Sequence, residues 1–241
     1  MSTNKIKVTP FGFKFSLAIF GGAGLFLYLE THFLIPYLSA ITGWEPIIFW
    51  FLVAGLGIFF PMIIAAIIIT QAEGTIRKAH FWKERLRFRK MTTSDWRWGI
   101  WGILGIVAAS GAVTGLLELF AGEVRHQPPF MAFEPLTPDR YWLLLIWLPY
   151  WLLNIMGEEI LWRGTILPGQ ELIFGKRAWI YHGFFWGIFH IAFGWQLLAT
   201  LFPMLFIQSY IVQKRQNTWL GVLIHAAING PSFLAISFGV I

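Results

Sequence analysis

The chain of 241 residues contains no cysteine and is poor in charge. Without cysteine it has no disulfide, no thiolate nucleophile and no cysteine-ligated zinc or iron–sulfur site. Charged residues make up 12% of the chain, whereas a soluble domain carries about a quarter. Hydrophobic residues make up 57%, with 24 Phe and 14 Trp, which is more apolar surface than one soluble core buries. This composition predicts a polytopic membrane protein.

The positive charge of the chain is concentrated in one loop. The formal net charge is +6, and eight of the 18 Lys and Arg residues lie between Arg77 and Arg97, between two apolar spans. Basic clusters beside a span are the ordinary positive-inside signal, and no nucleic-acid-binding fold signature accompanies them. We therefore expect no nucleic-acid partner. The stretch from Arg77 to Lys90 fits either an interfacial helix on anionic lipid or a solvated basic loop.

Long apolar runs define the expected fold, because a helix needs about 20 apolar residues to cross the hydrocarbon core. Seven candidate spans are Phe15–Leu38, Pro46–Thr70, Trp96–Phe120, Tyr141–Leu167, Ala178–Leu198, Ala199–Val212 and Thr218–Phe238. The fifth and sixth are hard to separate, so six or eight spans also fit. The predicted fold class is an all-α polytopic membrane bundle in one structural domain. Residues 1–140 supply N-terminal helices with a basic cytoplasmic loop at 71–98, and residues 141–241 supply the helices that contain buried polar residues.

Local signals refine these spans. Pro168-Gly169 is expected to stop the fourth span, and Asn217 is a candidate N-cap for the last one. The pairs Gly105/Ala109 and Gly111/Gly115 are small residues at helical spacing, which favours close approach of a neighbouring helix.

The distribution of Lys and Arg predicts the orientation. The N-terminus, the Arg77–Arg97 loop, Lys176-Arg177 and Lys214-Arg215 alternate with connections that carry few basic residues. Seven spans with the N-terminus in the cytoplasm and the C-terminus outside satisfy the positive-inside rule at each connection. We expect an integral protein of a bacterial cell (inner) membrane.

Three polar motifs lie inside apolar spans of the C-terminal half. They are Glu158-Glu159-x-x-x-Arg163, His190, and His225-x-x-x-Asn229. A charge at the centre of a membrane helix costs roughly 2.5–3.5 kcal/mol on insertion scales, so such residues usually mark a site. Glu159 and Arg163 are four residues apart and share a helix face. Glu158 points about 100° away from Glu159 and is free to face a cavity.

The predicted chemistry is hydrolysis by activated water. Helical rise places Glu158, His190, His225 and Asn229 in one layer of the cytoplasmic half of the membrane. A carboxylate and an imidazole on facing helices hold and deprotonate a water molecule, while an imidazole beside a carboxamide stabilises a developing oxyanion. Two histidines and a carboxylate would also suit zinc. We favour direct water activation, with no metal or other cofactor, because Asn229 is a poor zinc ligand.

Structural roles explain other polar residues. Glu159–Arg163 by itself is a structural ion pair, and a single intramembrane histidine often serves only to join helices. Trp186 is expected to pack rather than react. Glu30 and Glu118 lie near span ends and are expected to be wetted, and His126 is expected at the surface.

The motifs Glu158-Glu159-Ile160-Leu161-Trp162-Arg163-Gly164, His190 and His225-Ala226-Ala227-Ile228-Asn229 resemble those of the CPBP intramembrane proteases. This family includes the Ras-converting-enzyme-like type II CAAX endopeptidases and the bacteriocin-processing and immunity proteins. The resemblance covers about Tyr141 to Pro231. It implies that Glu158 and His190 activate water, that His225 and Asn229 form the oxyanion hole, and that Glu159 and Arg163 are supporting residues. It implies no required metal, although the family is often labelled as metalloproteases.

One position departs from the family. The second motif is usually Phe-x-x-x-His, and here Trp186 stands four residues before His190. The aromatic character is kept, so the departure concerns the shape of the pocket.

The sequence thus predicts an intramembrane endopeptidase with a site open to the cytoplasmic side. Its partners would be the lipid bilayer and a peptide or membrane-protein substrate, which is lipidated in some members of the class. The alternatives are a zinc-dependent version of the same hydrolase, a non-enzymatic immunity or binding protein on the same scaffold, and a proton-coupled transporter, which also uses buried Glu and His.

Overall fold

The computed structural model describes residues 7–74, 79–131 and 133–241. Within these ranges the chain forms eight helices and no strand. The helices are α1 (Phe13–Thr42), α2 (Pro46–Ala72), α3 (Ala79–Arg85), α4 (Thr93–Ala121), α5 (143–174), α6 (178–193), α7 (Trp195–Arg215) and α8 (Thr218–Ser237). The polytopic all-α fold predicted from the apolar runs is confirmed.

In the described part of the chain, six helical runs are long and apolar enough to cross a membrane. One of them, Leu143–Phe193, is 51 residues long and holds both α5 and α6. The chain reverses at Gly175, which has a positive φ of 55°, and Phe174 stacks on Tyr181 across the turn with ring centroids 4.2 Å apart. This run therefore contains two antiparallel passes, the fourth and fifth of the predicted spans.

Two helix boundaries differ from the prediction. The break between the fifth and sixth spans lies at Gly194, not at Leu198, because its backbone (φ 88°, ψ 161°) is readily adopted only by glycine. The fourth span does not stop at Pro168. The chain is π-helical over Glu159–Ile166, and Pro168 then enters the first turn of a further α-helical segment, where a missing amide hydrogen is tolerated.

Contacts between the helix ends define two faces of the bundle. The basic face is held by the ion pairs Arg85–Glu73, Arg87–Glu171 and Arg215–Asp95. The opposite face is held by the ion pair between Arg140 and Glu45 and by a hydrogen bond from the Leu136 amide to the Ser237 carbonyl. These contacts sort the connections into the same two groups that the distribution of basic residues predicts.

The basic loop lies against the bundle. Residues 75–78, and the side chains of residues 79–81, are outside the described part, so that portion of the predicted interfacial segment is untested. After α3, Leu86 is fully buried, and its carbonyl accepts a hydrogen bond of 2.6 Å from the Thr218 hydroxyl. The start of α8 is set by Asn217, whose side chain accepts from the Trp219 amide as predicted.

The hydrophobic core is continuous from α1 to α8. It crosses residue 140, and the division at that residue stays a prediction. The glycines that permit close packing differ from those expected. A Cβ at Gly105, Gly111 or Gly115 would meet no atom within 4 Å, whereas one at Gly157 would lie within 3.0 Å of the Phe59 carbonyl oxygen. Gly157 therefore lets α5 pack tightly on α2 immediately before Glu158.

Glu30 also differs from its prediction. It lies inside α1 and is 3% exposed, so it is buried in the bundle instead of wetted. Its Oε2 has no hydrogen-bond partner among the described residues. Glu118, near the end of α4, is exposed as expected.

Candidate active site

Glu158 faces a cavity and is held by two neutral donors. Asn154 lies one turn earlier on the same face of α5, and its Nδ2 donates to Glu158 Oε1 at 3.2 Å. The indole Nε1 of Trp186, on α6, donates to Glu158 Oε2 at 2.6 Å. The residue is 2% exposed and lines a cavity of about 300 Å³. Each carboxylate oxygen has a second acceptor site, so the group is oriented and still able to accept a proton.

Glu159 is the centre of a separate buried network. Its Oε1 lies 3.2 Å from Arg163 Nη1, which confirms the predicted pairing along the helix. The same oxygen accepts hydrogen bonds from His225 Nδ1 at 2.9 Å and from Gln208 Nε2 at 2.8 Å. Glu159, Arg163 and Gln208 are fully buried. The adjacent glutamates thus point to different surroundings, as their 100° separation requires.

Trp186 connects the two networks, because it hydrogen-bonds to Glu158 in addition to packing. Besides its bond to Glu158, its ring lies 3.4 Å from the guanidinium carbon of Arg163. Arg163 makes no hydrogen bond to a described residue, so its charge is compensated by this cation–π contact and by the nearby carboxylate of Glu159. The ring centroids of His190 and His225 lie 5.4 and 5.7 Å from that of Trp186.

The hydrogen bonds of the two histidines fix their ring orientation. His190 Nδ1 lies 2.9 Å from the Trp186 carbonyl oxygen, and His225 Nδ1 contacts the Glu159 carboxylate. Because a carbonyl and a carboxylate only accept, each Nδ1 carries the hydrogen. Each Nε2 is then left for other contacts. His190, His225 and Asn229 all line the cavity that contains Glu158, so the four predicted catalytic residues lie around one space.

The cavity runs from this layer toward the opposite face. Its lining includes His126 and Pro128 from the connection between α4 and α5, and Ile241 at the end of the chain. His126 is therefore a cavity residue as well as an exposed one. We expected the site to open toward the basic side, taken as cytoplasmic, but the described lining leads to the opposite face. Depth calculated from helix ends contains no information on which side the packing leaves open.

The residues missed by the sequence reasoning are Gln208 and the indole of Trp186 as a hydrogen-bond donor, whereas the spacing of Asn154 predicted its place on the face of Glu158. Gln208 had a detectable signal, since it is a carboxamide in an otherwise apolar run and is expensive to bury without a partner. Its partner on α5 was not detectable, because the two helices are remote in sequence. No group of three or more His, Asp or Glu side chains arranged to hold a metal ion occurs in the described ranges. The fit to a zinc site is therefore poor.

Together the fold and the cavity define a polytopic membrane protein with a buried carboxylate–imidazole site. Residues 140–230 match the family model of the Rce1-like type II CAAX prenyl endopeptidases. This region contains all six predicted site residues, and for these residues the match confirms the resemblance carried by the motifs. It supports a protease-type function in general. No match was found among curated proteins or among solved structures.

Proposed function

We propose that the chain is an intramembrane endopeptidase of the glutamate type, with Glu158 as the base that activates water. The observation that carries the proposal is the position of Glu158. It is almost fully buried in a cavity, oriented by two neutral donors, and not neutralised by a direct ion pair among the described residues. A structural glutamate at this depth would be expected to have a cationic partner, as Glu159 has.

The proposed reaction is one hydrolytic addition and one elimination. Water binds between Glu158 and Nε2 of His190, and Glu158 takes a proton as the water oxygen forms a bond to the peptide carbonyl carbon. The carbon–nitrogen bond then breaks, and the proton passes from Glu158 to the leaving amine. The products are a carboxylic acid and an amine. No external oxidant or cofactor is consumed.

His225 and Asn229 would stabilise the oxyanion of the intermediate. The Asn229 carboxamide donates directly, whereas His225 donates from Nε2 as an imidazolium because its Nδ1 already carries a hydrogen. Charge balance favours that form. With Glu158, Glu159 and Arg163 ionised, a protonated His225 gives the buried cluster no net charge, and burying uncompensated charge is costly. In this view Glu159 is a positioning residue that acts through His225.

The decisive comparison is between Glu158→Gln and wild type. We expect the variant to fold but to lose about 10²- to 10⁴-fold in cleavage rate, the usual contribution of a general base. Protein termini are compared across membranes of host cells that make either protein at equal levels. Glu118→Gln is the matched control, since the same substitution at an exposed position should keep full activity. New termini that persist with Glu158→Gln would refute the mechanism.

The alternative role as an immunity or binding protein predicts a different experimental result. If neither wild type nor Glu158→Gln produces new termini in the native host, the protease proposal fails. Protection of the host that survives His190→Ala combined with His225→Ala would then support the binding role, because that role needs the scaffold and not the imidazoles. Glu159→Gln should instead reduce folded yield, since Arg163 and His225 both lose their charged partner.

A further inference from the structure

The cavity leaves the catalytic layer in one direction on every helix that lines it. On α4 the lining extends from Ile106 to Thr114, toward the C-terminal end, and on α8 it extends from His225 to Ile236, also toward the C-terminal end. On α7 it includes Leu197, near the N-terminal end. These three ends all lie at the opposite face. The cavity is therefore a channel from that face to Glu158.

The basic side of the catalytic layer is closed by packed groups. Trp162 and Arg163 are fully buried. Below them, Arg85 donates hydrogen bonds to the carbonyl oxygens of Gly164 and Thr165 at 3.0 and 3.3 Å. Leu86 packs against Gly164, where an added Cβ would meet it at 3.2 Å. Among the described residues, no lining side chain of the cavity belongs to the loop that forms this closure.

The two faces differ strongly in basic residues. The connections of the opposite face carry two of the 18 Lys and Arg residues, Arg125 and Arg140. Apart from Arg163, the others that the structure describes belong to the segments of the basic face. Such an asymmetry places the basic face in the cytoplasm. The channel then opens to the non-cytoplasmic side of the membrane.

The lining also restricts the substrate. Glu158 is the one acidic side chain among the described lining residues, and no Lys or Arg is present there. A charged substrate side chain in the channel wall beyond the catalytic layer would lose water without meeting a side-chain carboxylate, Lys or Arg, which is costly. The channel wall is instead made of aromatic and aliphatic groups with hydroxyls of Ser110, Thr114, Thr200 and Ser232 between them. It suits an apolar, uncharged stretch of polypeptide.

We propose that this site takes its substrate from the non-cytoplasmic side, and that the substrate is an uncharged apolar segment of a translocated or membrane-anchored polypeptide. The substrate class rests on the proposed peptidase function, whereas the direction of access does not depend on it. The absence of cysteine from the chain makes the direction measurable, because any introduced thiol is the single one.

Single-cysteine variants test the direction of access. Thr114→Cys and Ser232→Cys are in the channel wall, Glu123→Cys marks the opposite face and Lys214→Cys marks the basic face. A membrane-impermeant maleimide is applied to intact spheroplasts and to inverted vesicles. We expect both channel variants and Glu123→Cys to be labelled in spheroplasts, and Lys214→Cys in inverted vesicles. Labelling of the channel variants only from the Lys214 side would overturn the inference. Labelling of Lys214→Cys in spheroplasts would also overturn it.

The termini that depend on Glu158 test the substrate class separately. We expect the new ends to fall in apolar segments exposed outside the cytoplasm. Ends that fall in cytoplasmic segments would overturn the access inference and leave the peptidase function standing. If no ends appear while the channel variants are labelled in spheroplasts, the peptidase proposal fails and the direction of the channel stands.

Discussion

Gly221 offers a quantitative test of the buried Glu159 network. It lies on α8 beside the carboxylate, and an added Cβ would be closer than 3.0 Å to Glu159 Oε2. That carboxylate has little freedom to move, because Arg163, His225 and Gln208 hold its other oxygen. Gly221→Ala should therefore strain the network instead of being absorbed by a flexible side chain.

Overpacking of a well-packed core costs about 1–3 kcal/mol. For a chain of this size each kcal/mol lowers the unfolding temperature by roughly 2–4 °C, so we expect a decrease of roughly 2–12 °C. The matched control is Gly105→Ala, where an added Cβ meets no atom within 4 Å. In the control the better helix propensity of alanine, about 1 kcal/mol, should leave stability unchanged or slightly higher. Intrinsic tryptophan fluorescence of purified protein in detergent, at one scan rate, gives both values.

A double-mutant cycle identifies the cause of the decrease. If Gly221→Ala acts through Glu159, its cost should shrink in a Glu159→Ala background, because the clashing oxygen is gone. The remaining close neighbour is a methyl group of Val212 at 3.1 Å. Equal unfolding temperatures for Gly221→Ala and Gly105→Ala would refute the described packing of this network. An equal cost of Gly221→Ala in both backgrounds would refute the role of the carboxylate.

Four further predictions follow from other contacts. Trp186→Phe removes a buried charge-assisted hydrogen bond worth about 1.5–3 kcal/mol, so turnover of an identified substrate should fall about 10- to 150-fold; an unchanged kcat would contradict this. Arg85→Ala breaks a buried ion pair and should lower the free energy of unfolding by about 3–5 kcal/mol. The control Lys214→Ala, at an exposed position, should leave it almost unchanged. Equal unfolding curves for the two variants would contradict the packing of Arg85 below the catalytic layer. Glu30→Met replaces a buried oxygen without a described partner and should raise stability by about 1–3 kcal/mol, unlike Glu118→Met. Proteolysis should survive treatment with a metal chelator, and activity that is lost and then restored by zinc would favour the zinc-dependent alternative.

Properties that depend on one helix at a time were predictable from the sequence. Hydropathy located the spans, because the cost of transferring apolar and charged residues applies residue by residue. Helical periodicity predicted that Glu159 pairs with Arg163 and that Glu158 points elsewhere, and the observed distances agree with both. The capping role of Asn217 was likewise local.

Properties that depend on packing between helices were not predictable in this way. The bond of His225 to Glu159 joins residues 66 positions apart, and that of Gln208 to Glu159 joins residues 49 positions apart. Glu30 was misplaced for a related reason. Its burial depends on α2, where its carboxylate lies against Gly57, and the apolar run contains no information on that neighbour.

The adjacency of Glu158 and Glu159 explains why one helix can serve both the open channel and the closed side. A rotation of 100° between neighbours directs one carboxylate to the cavity and the other into an ion network that fixes His225. If the two glutamates were shifted by one position toward the start of the helix, neither would lie four residues before Arg163. The buried Arg163 charge would then lose its carboxylate partner, at a cost of several kcal/mol. The fixed spacing from Glu159 to Arg163 therefore determines which glutamate is available to water. Loss of turnover in a folded Glu158→Gln protein, and a reduced folded yield of Glu159→Gln, would be the separate consequences of that geometry.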